Sequence, residues 1–492
     1  MKKRTLALIL LTAILLAACG TPGEPSETSG TADDTTAPVE EAGEYKNPGV
    51  DYGGETFTIL DYDTTEYFWQ AATFSDIYAE EENGEPINDA QYARNIKVEE
   101  LLNIKLETYP VDGMKRDQNN VEFRKLVMAG DASVDAGFIF GGNVDNIITE
   151  QGLVIDLNTI STLNTEASWW DQNEVEAFTY NGALNTLTGN ISLYSTFAPI
   201  HFFYNKDIAE ANSFDNMYDM VRAGTWTWDK VFEYSTMVAR DLNGDNKMDQ
   251  SDMYGTALQG GLLYEGLISS GGNYAKKNSK GEIELVLNSE RTISVVEKIV
   301  PFLNDIKINS VANKYNSQYT NPYYEMHLPM FKNNQILFNW NQLLISFELR
   351  AMDADYGILP NPKFDEEQAC YHTPISLSWA TMLCVPTTNN RLDMTGHVLD
   401  ALGYYSQQYV TAEFIDTTVR YKSLRDDDSA EMLEIVLANK TWDMAQMYNW
   451  GSIHSEFYNL GYKNNTNFAS MWAKIESQVT EEMKKSLEMM NQ

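Results

Sequence analysis

The chain has 492 residues, of which 43% are hydrophobic and 12% aromatic, and carries a formal net charge of -36. That charge argues against nucleic acid and against an anionic lipid surface as partners, because both need clustered Lys and Arg. Three cysteines in such a length are too few for a disulfide scaffold.

At the N-terminus Lys2, Lys3 and Arg4 lead into the apolar run Leu6–Leu16 and then small residues ahead of Cys19. A run this short with a basic flank reads as a secretory signal rather than a membrane span. Leu16-Ala17-Ala18-Cys19 resembles the lipobox of bacterial lipoproteins, in which the cysteine becomes the lipid-bearing first residue. The resemblance implies a signal peptide over 1–18, lipidation at Cys19, and attachment to the extracytoplasmic face of the cell membrane. From Cys19 to residue 46 the chain is mostly Gly, Pro, Ser, Thr and acid. Such a composition cannot offset the entropy of ordering and reads as a disordered tether.

Beyond it lie about 440 residues, room for two or three domains. Glu55–Leu60 reads as a strand, and Asn88–Leu102 as a helix with Ala90, Ala93, Leu101 and Leu102 at helical offsets. Ile104–Tyr109 alternates as a second strand, Val121–Met128 is a helix ending at Gly130, and Gly137–Phe140 is a third strand. Strand, helix, strand, helix, strand predicts a parallel sheet covered on both faces. Helical patterns recur at Thr227–Arg240, Ser289–Leu303, Leu392–Tyr405 and Met432–Ala438, and no internal repeat is present. Acids and Ser429 in the run Arg425–Ser429 suit the cap of the last of these.

Five segments in order resemble the extracellular solute-binding proteins of carbohydrate ABC transporters, the family that includes maltodextrin-binding proteins. They are the helix segment from Asn88 to Glu100, Met128–Asp135, Phe203-Tyr-Asn-Lys-Asp207, Gly224-Thr-Trp-Thr-Trp-Asp229 and Tyr356–Pro362. The resemblance spans residues 52 to 455 and implies an α/β fold of two lobes, like periplasmic binding proteins, with hinge crossings and a ligand cleft between the lobes. It places lobe 1 at 47–189 and 362–425, and lobe 2 at 190–361 and 426–492. It implies a monomer that captures a carbohydrate, an oligosaccharide, and delivers it to ABC-transporter permease subunits. A peptide or other polar ligand on the same scaffold, and a surface carbohydrate-active enzyme or adhesin, stay open as alternatives.

Sugar rings stack their apolar faces on aromatic planes while their hydroxyls bond to Asp, Asn, Gln and Arg. By resemblance, Trp340 stacks from lobe 2, and Phe140 and Asn143 follow the lobe 1 strand that ends at the cleft. Gln259 sits in the polar loop before a lobe 2 helix, and Tyr448 and Trp450 supply late contacts. Trp69 follows the first strand and is within reach of the ligand, whereas Trp226 and Trp228, beside a helix start, belong to the core.

The run Asp241–Asp252 places oxygen side chains at positions 1, 3, 5, 9 and 12 of an EF-hand-type loop. Asp241, Asn243 and Asp245 would bind a structural calcium ion (Ca2+) directly, with the Lys247 carbonyl, Asp249 through water, and Asp252 closing the site. Position 6 is Asn246 rather than glycine, and position 12 is the short Asp252 rather than Glu. A polar surface loop that binds nothing is the alternative.

Catalytic signatures are missing. The five histidines are scattered without an HExxH pair, and there is no Gly-x-Ser-x-Gly elbow or phosphate-cradling loop. No enzyme is expected. Cys370 and Cys384 are able to pair in an oxidising compartment, yet the apolar run Ile375–Val385 suits Cys384 equally as a buried thiol.

Overall fold

The computed structural model describes residues 45–63, 75–113, 115–350, 352–415 and 427–490. The signal segment, Cys19, the tether as far as residue 44, Trp69 and the first residues of the acidic run at 425 lie outside the described residues. Tyr45 and Lys46, expected in the tether, are within them, and Tyr45 is packed against lobe 1. Its ring stacks on Tyr404 at 5.2 Å and meets Trp169 edge-on at 6.1 Å.

Lobe 1 is built on three parallel strands, β1 (Glu55–Tyr62), β2 (Ile104–Val111) and β3 (Ala136–Phe140), with β1 in the middle. Helix α1 (Pro86–Leu102) links β1 to β2, and α2 (Gln118–Met128) links β2 to β3. Helix α1 starts two residues before the expected Asn88, because Pro86 suits the first turn and the Glu85 carboxylate accepts the Asn88 amide. Asn103, left-handed at φ 47°, ends it. Gly137 is required by close packing, since a Cβ there would lie 2.9 Å from the Phe123 ring of α2. The fourth strand, Thr381–Cys384, comes from far down the chain and pairs antiparallel with β3, Thr381 opposite Phe140. Cys384 on that strand is a free, fully buried thiol, so it forms no bond with Cys370.

Lobe 2 is a five-stranded sheet in the order Tyr356–Leu359, β4 (Ile200–Asn205), Ile336–Gln342, β5 (Tyr254–Leu258) and Asn309–Val311. Its core is aromatic. Phe202 and Trp340 stack at 5.3 Å and 15°, with Trp228 edge-on to Trp340 at 5.1 Å and Trp226 edge-on to Phe202 at 6.4 Å. Trp226 and Trp228 are fully buried, as the sequence implied. The helix Phe468–Met490 closes the chain. Among the described residues, no helix is long and apolar enough to cross a membrane.

The crossings between lobes run side by side. Pro199 bridges Ile375, and Thr373–Pro374 pairs in parallel with Lys440–Thr441. Both main crossings fall later than the resemblance placed them. Ser192 and Ser195 bond to Thr381 of the lobe 1 sheet, so the chain leaves lobe 1 near residue 198 rather than 190. Asn361 bonds to Trp340 and to the Ile200 carbonyl, and the Tyr371 hydroxyl donates to the Val221 carbonyl. These buried bonds keep the chain on lobe 2 past residue 362, and it re-enters lobe 1 only after Ile375.

Candidate functional site: the cleft between the lobes

Side chains at the C-terminal ends of parallel strands converge on a crevice, the usual place for a ligand in an α/β sheet. In lobe 1 these ends are Tyr62, Val111 and Phe140. After Phe140 the chain makes a short turn over Gly141–Asn143. Asn120 of α2 fixes that turn from behind: its carbonyl accepts the Phe140 amide at 2.7 Å, and its amide donates to the carbonyls of Phe140 and Asn143. The Phe140 ring folds over Gly142, where a Cβ would lie 2.6 Å from it. Asn143 is half-buried and spends its main-chain carbonyl, not its side chain, on Asn120.

Beside this turn stand residues that the sequence reading missed. Trp379, half-buried, sits in a turn closed by its amide bonding to Ser376. The Arg116 guanidinium lies 4.3 Å from the Trp379 ring, 4.6 Å from Tyr194 and 5.6 Å from Tyr62. The Tyr62 hydroxyl in turn donates to the Arg116 carbonyl. The missed signal was the sequence Ser376-Leu-Ser-Trp379, whose two serines break an otherwise apolar run and mark a turn.

Below this wall lies a buried acid pair. Asp61 accepts the Tyr62 amide at 2.8 Å, the Ile77 amide at 2.9 Å and the Ser75 hydroxyl. Asp76 accepts the Tyr194 amide at 3.1 Å and the Thr381 hydroxyl at 2.6 Å. Burial raises both carboxyls above the usual range, and the charge of Asp76 raises Asp61 further. Arg94, also fully buried, donates to the carbonyls of Asp76 and Ile77 and to Ser406, and burial lowers its pKa to about 10. One network thus positions Tyr62, Tyr194 and the strand that follows Trp379.

On lobe 2, β5 ends at Leu258, and Gln259-Gly260-Gly261 follows it toward lobe 1. The neighbouring parallel strand Ile336–Gln342 runs directly into Leu343 and Leu344, whose amides bond to the carbonyls of Pro199 and Phe197 at the lobe junction. Gln259 is half-exposed, and Asn313, just past the strand Asn309–Val311, accepts the Gly260 amide.

Of the other expected ligand contacts, Trp340 is displaced. It is 0% exposed, with its indole N–H spent on Asn361, so it belongs to the lobe 2 core and not to the cleft. Every residue of its strand from Ile336 to Asn341 is buried, which explains why no alternation marked its facing. Tyr448 and Trp450 stack on each other at 5.5 Å, but beneath the C-terminal helix: the Trp450 indole donates to Ser486 and the Tyr448 hydroxyl meets the Met490 sulfur. The helix Met444–Tyr448 does pack against the Gly141–Asn143 turn, so the structure brings that segment to Asn143.

In the 241–252 loop the acids hold the backbone. Asp241 accepts the amides of Asn243, Gly244 and Asn246, Asp245 accepts that of Lys247, Asp249 that of Ser251, and Asp252 those of Leu242 and Asp249. Asn246 adopts φ 65°, the left-handed turn usually given to glycine. Among the described residues, no three Asp, Glu, His or Cys side chains are gathered as metal ligands. A surface depression of 470 Å³ at Tyr52, Glu55 and Asn389–Met394 lies at the opposite end of β1 from the cleft, and Arg391 within it is bonded to Asp135.

The fold matches solved structures. An ABC substrate-binding protein of Listeria monocytogenes in complex with cycloalternan aligns at a TM-score of 0.56 and 14% identity, covering 88% of this chain and 99% of that one. A cyclo/maltodextrin-binding protein complexed with maltotetraose aligns at 0.55 and 14% identity, covering 88% and 97%. Maltose-bound MalE3 of T. maritima aligns at 0.53 and 14% identity, covering 87% and 99%. At such identities these likenesses define the class of fold, that of the two-lobed solute-binding proteins. No protein-family model matches the chain, and no curated protein matches it.

Proposed function

We propose that the protein is an extracytoplasmic, lipid-anchored solute-binding protein that captures an oligosaccharide between its lobes for import by an ABC transporter. The observation that carries this reading is the facing of strand ends across the lobes, with aromatic rings and an amide on one wall (Phe140, Trp379 and Asn143) and amides on the other (Gln259 and Asn313). The fold neighbours support it, since their names describe sugar complexes of binding proteins. Binding would draw the lobes together about the Pro199, Ile375 and Thr441 strip, as in hinge closure around a ligand. Cys19 would carry the lipid.

The buried acid pair Asp61 and Asp76 is fully enclosed and spent on amides and hydroxyls, so it cannot serve as a glycosidase dyad. A structural calcium ion at Asp241–Asp252 is a separate proposal, supported by the order of oxygen side chains and by the left-handed Asn246. It requires Asp245 and Asp249 to turn from backbone amides toward the ion. An unfolding midpoint that does not move with calcium, at concentrations of about 10⁻³ M, would rule it out.

The test of function is thermal unfolding of the purified protein against oligosaccharides and peptides. A ligand that binds only the folded state raises the midpoint by mass action. A saturable rise with one sugar class, with the sugar recovered intact, is the expected result. A rise with peptides alone would move the ligand class, and sugar breakdown would sink the transport reading.

A further inference from the structure

We propose that lobe 2 carries a second sugar subsite, a platform made by the stacked rings of Tyr458 and Tyr462. This rests on the carbohydrate reading above and deepens it, because a platform here makes length a determinant of affinity.

The two tyrosines are four residues apart on the helix Ile453–Tyr462 and so share one face. Their rings lie 5.7 Å apart at 16°, and Tyr462 is 46% exposed. The chain leaving β5 is pressed against them. A Cβ on Gly261 would lie 2.1 Å from the Tyr458 ring, and one on Gly260 would lie 3.1 Å from that of Tyr462. Gly261 also has φ +91°, so two separate demands exclude a side chain there. The platform therefore stands at the same strand end as Gln259, on the side that faces lobe 1.

Polar groups beside it are poised but unused. Among the described residues, the Gln259 amide and the hydroxyls of Tyr458 and Tyr462 make no hydrogen bond. Glu265 is half-buried within electrostatic reach of Tyr458, and among the described residues no cation pairs with it. Burial raises its carboxyl to about 7. The exposed ring of Tyr462, backed by Tyr458 and set beside an amide, hydroxyls and a carboxyl, suits a sugar ring with its hydroxyls directed outward. A carboxyl rather than a cation beside the rings favours a neutral sugar over an anionic ligand.

The test is calorimetric titration of the protein, Tyr462→Ala and Tyr462→Phe with linear gluco-, xylo- and manno-oligosaccharides of two to six units, keeping the series that the unaltered protein binds. The exposure of Tyr462 lets the alanine variant fold, which its unfolding midpoint checks. Expected is a loss of roughly three- to tenfold in affinity of Tyr462→Ala for the longer chains, no loss for the shortest, and a smaller loss in Tyr462→Phe, which keeps the ring and removes only the hydroxyl. Unchanged affinity at every length, or an equal loss at every length, would overturn the platform and leave carbohydrate capture standing. Failure of the unaltered protein to bind any series would overturn the carbohydrate reading and the platform with it.

Discussion

Lobe 1 holds its cleft wall with buried polar groups, whereas lobe 2 holds its wall with packed rings. Behind Tyr62, Tyr194 and Trp379 lie Asp61, Asp76 and Arg94, each satisfied by amides, carbonyls or hydroxyls. Behind Gln259 and Asn313 lies the stack of Phe202, Trp340 and Trp228. Hydrogen bonds fix directions but respond to proton uptake, while ring packing is indifferent to pH and sensitive to volume. The two walls should therefore fail under different perturbations.

The largest effect is expected in the rings. Trp340→Ala removes a fully buried side chain and strands the Asn361 carbonyl that its indole satisfies. A loss of about 3–5 kcal/mol in unfolding free energy follows, read by denaturant titration, with little change of that loss between pH 5 and 8. A loss below about 1 kcal/mol would mean that the site collapses around the gap and that lobe 2 is not held by this stack.

Next comes the acid pair. Asp76→Ala leaves the Tyr194 amide without its acceptor, at a cost of about 1–3 kcal/mol. Asp76→Asn is gentler, since the amide oxygen still accepts from Tyr194 and the Thr381 hydroxyl retains Ser192. The pH behaviour separates the two walls. Folding raises the pKa of Asp61 and Asp76, and also of Asp400 and Asp443 to about 6. Such groups hold their proton in the folded state when the unfolded chain has lost it, so their contribution is full at low pH and is lost as pH rises through the folded values. The buried histidines act oppositely: burial lowers His201 and His327 to about 3 and His454 to about 4, so their contribution is lost as pH falls below the unfolded value. The trends compete below about pH 6.5, the unperturbed histidine value. Above it the raised carboxyls and, toward pH 8, the buried Cys384 thiol act in the same direction, and the unfolding midpoint should fall on going to pH 8. Asp76→Asn should flatten that fall, and an unaltered slope would contradict the role given to the pair.

The smallest effect on stability, and a clear one on binding, is expected at Trp379. Trp379→Ala should leave the unfolding midpoint within a few degrees of the unaltered protein and weaken sugar binding by roughly three- to tenfold. Intact binding would remove Trp379 from the cleft.

Much of lobe 1 was legible because its signals are local. The β-branched and aromatic run of β1, alternation in β2, helical offsets in α1 and a glycine after α2 each occupy one short window. The strand Thr381–Cys384 was not assignable to that sheet, because its partner β3 lies more than two hundred residues away and only tertiary packing joins them. Phe140, Asn143 and Gln259 were expected from the resemblance at strand ends, and they do stand at or just after strand ends, where position alone places a residue near an edge whatever its rotamer. Trp340 was misplaced, since a strand buried on both faces carries no alternation to tell core from cleft. Tyr448 and Trp450 lay where a later helix covers them, a fact written in Ser486 and Met490 and not in their own neighbourhood.

The most direct test of the account is a crystal structure of the protein with the oligosaccharide that raises its unfolding midpoint most. The account predicts a sugar between the lobes, touching Trp379 and the Phe140–Asn143 turn on one side and Gln259 on the other. A sugar bound on an outer face, with those residues still solvated, would contradict it.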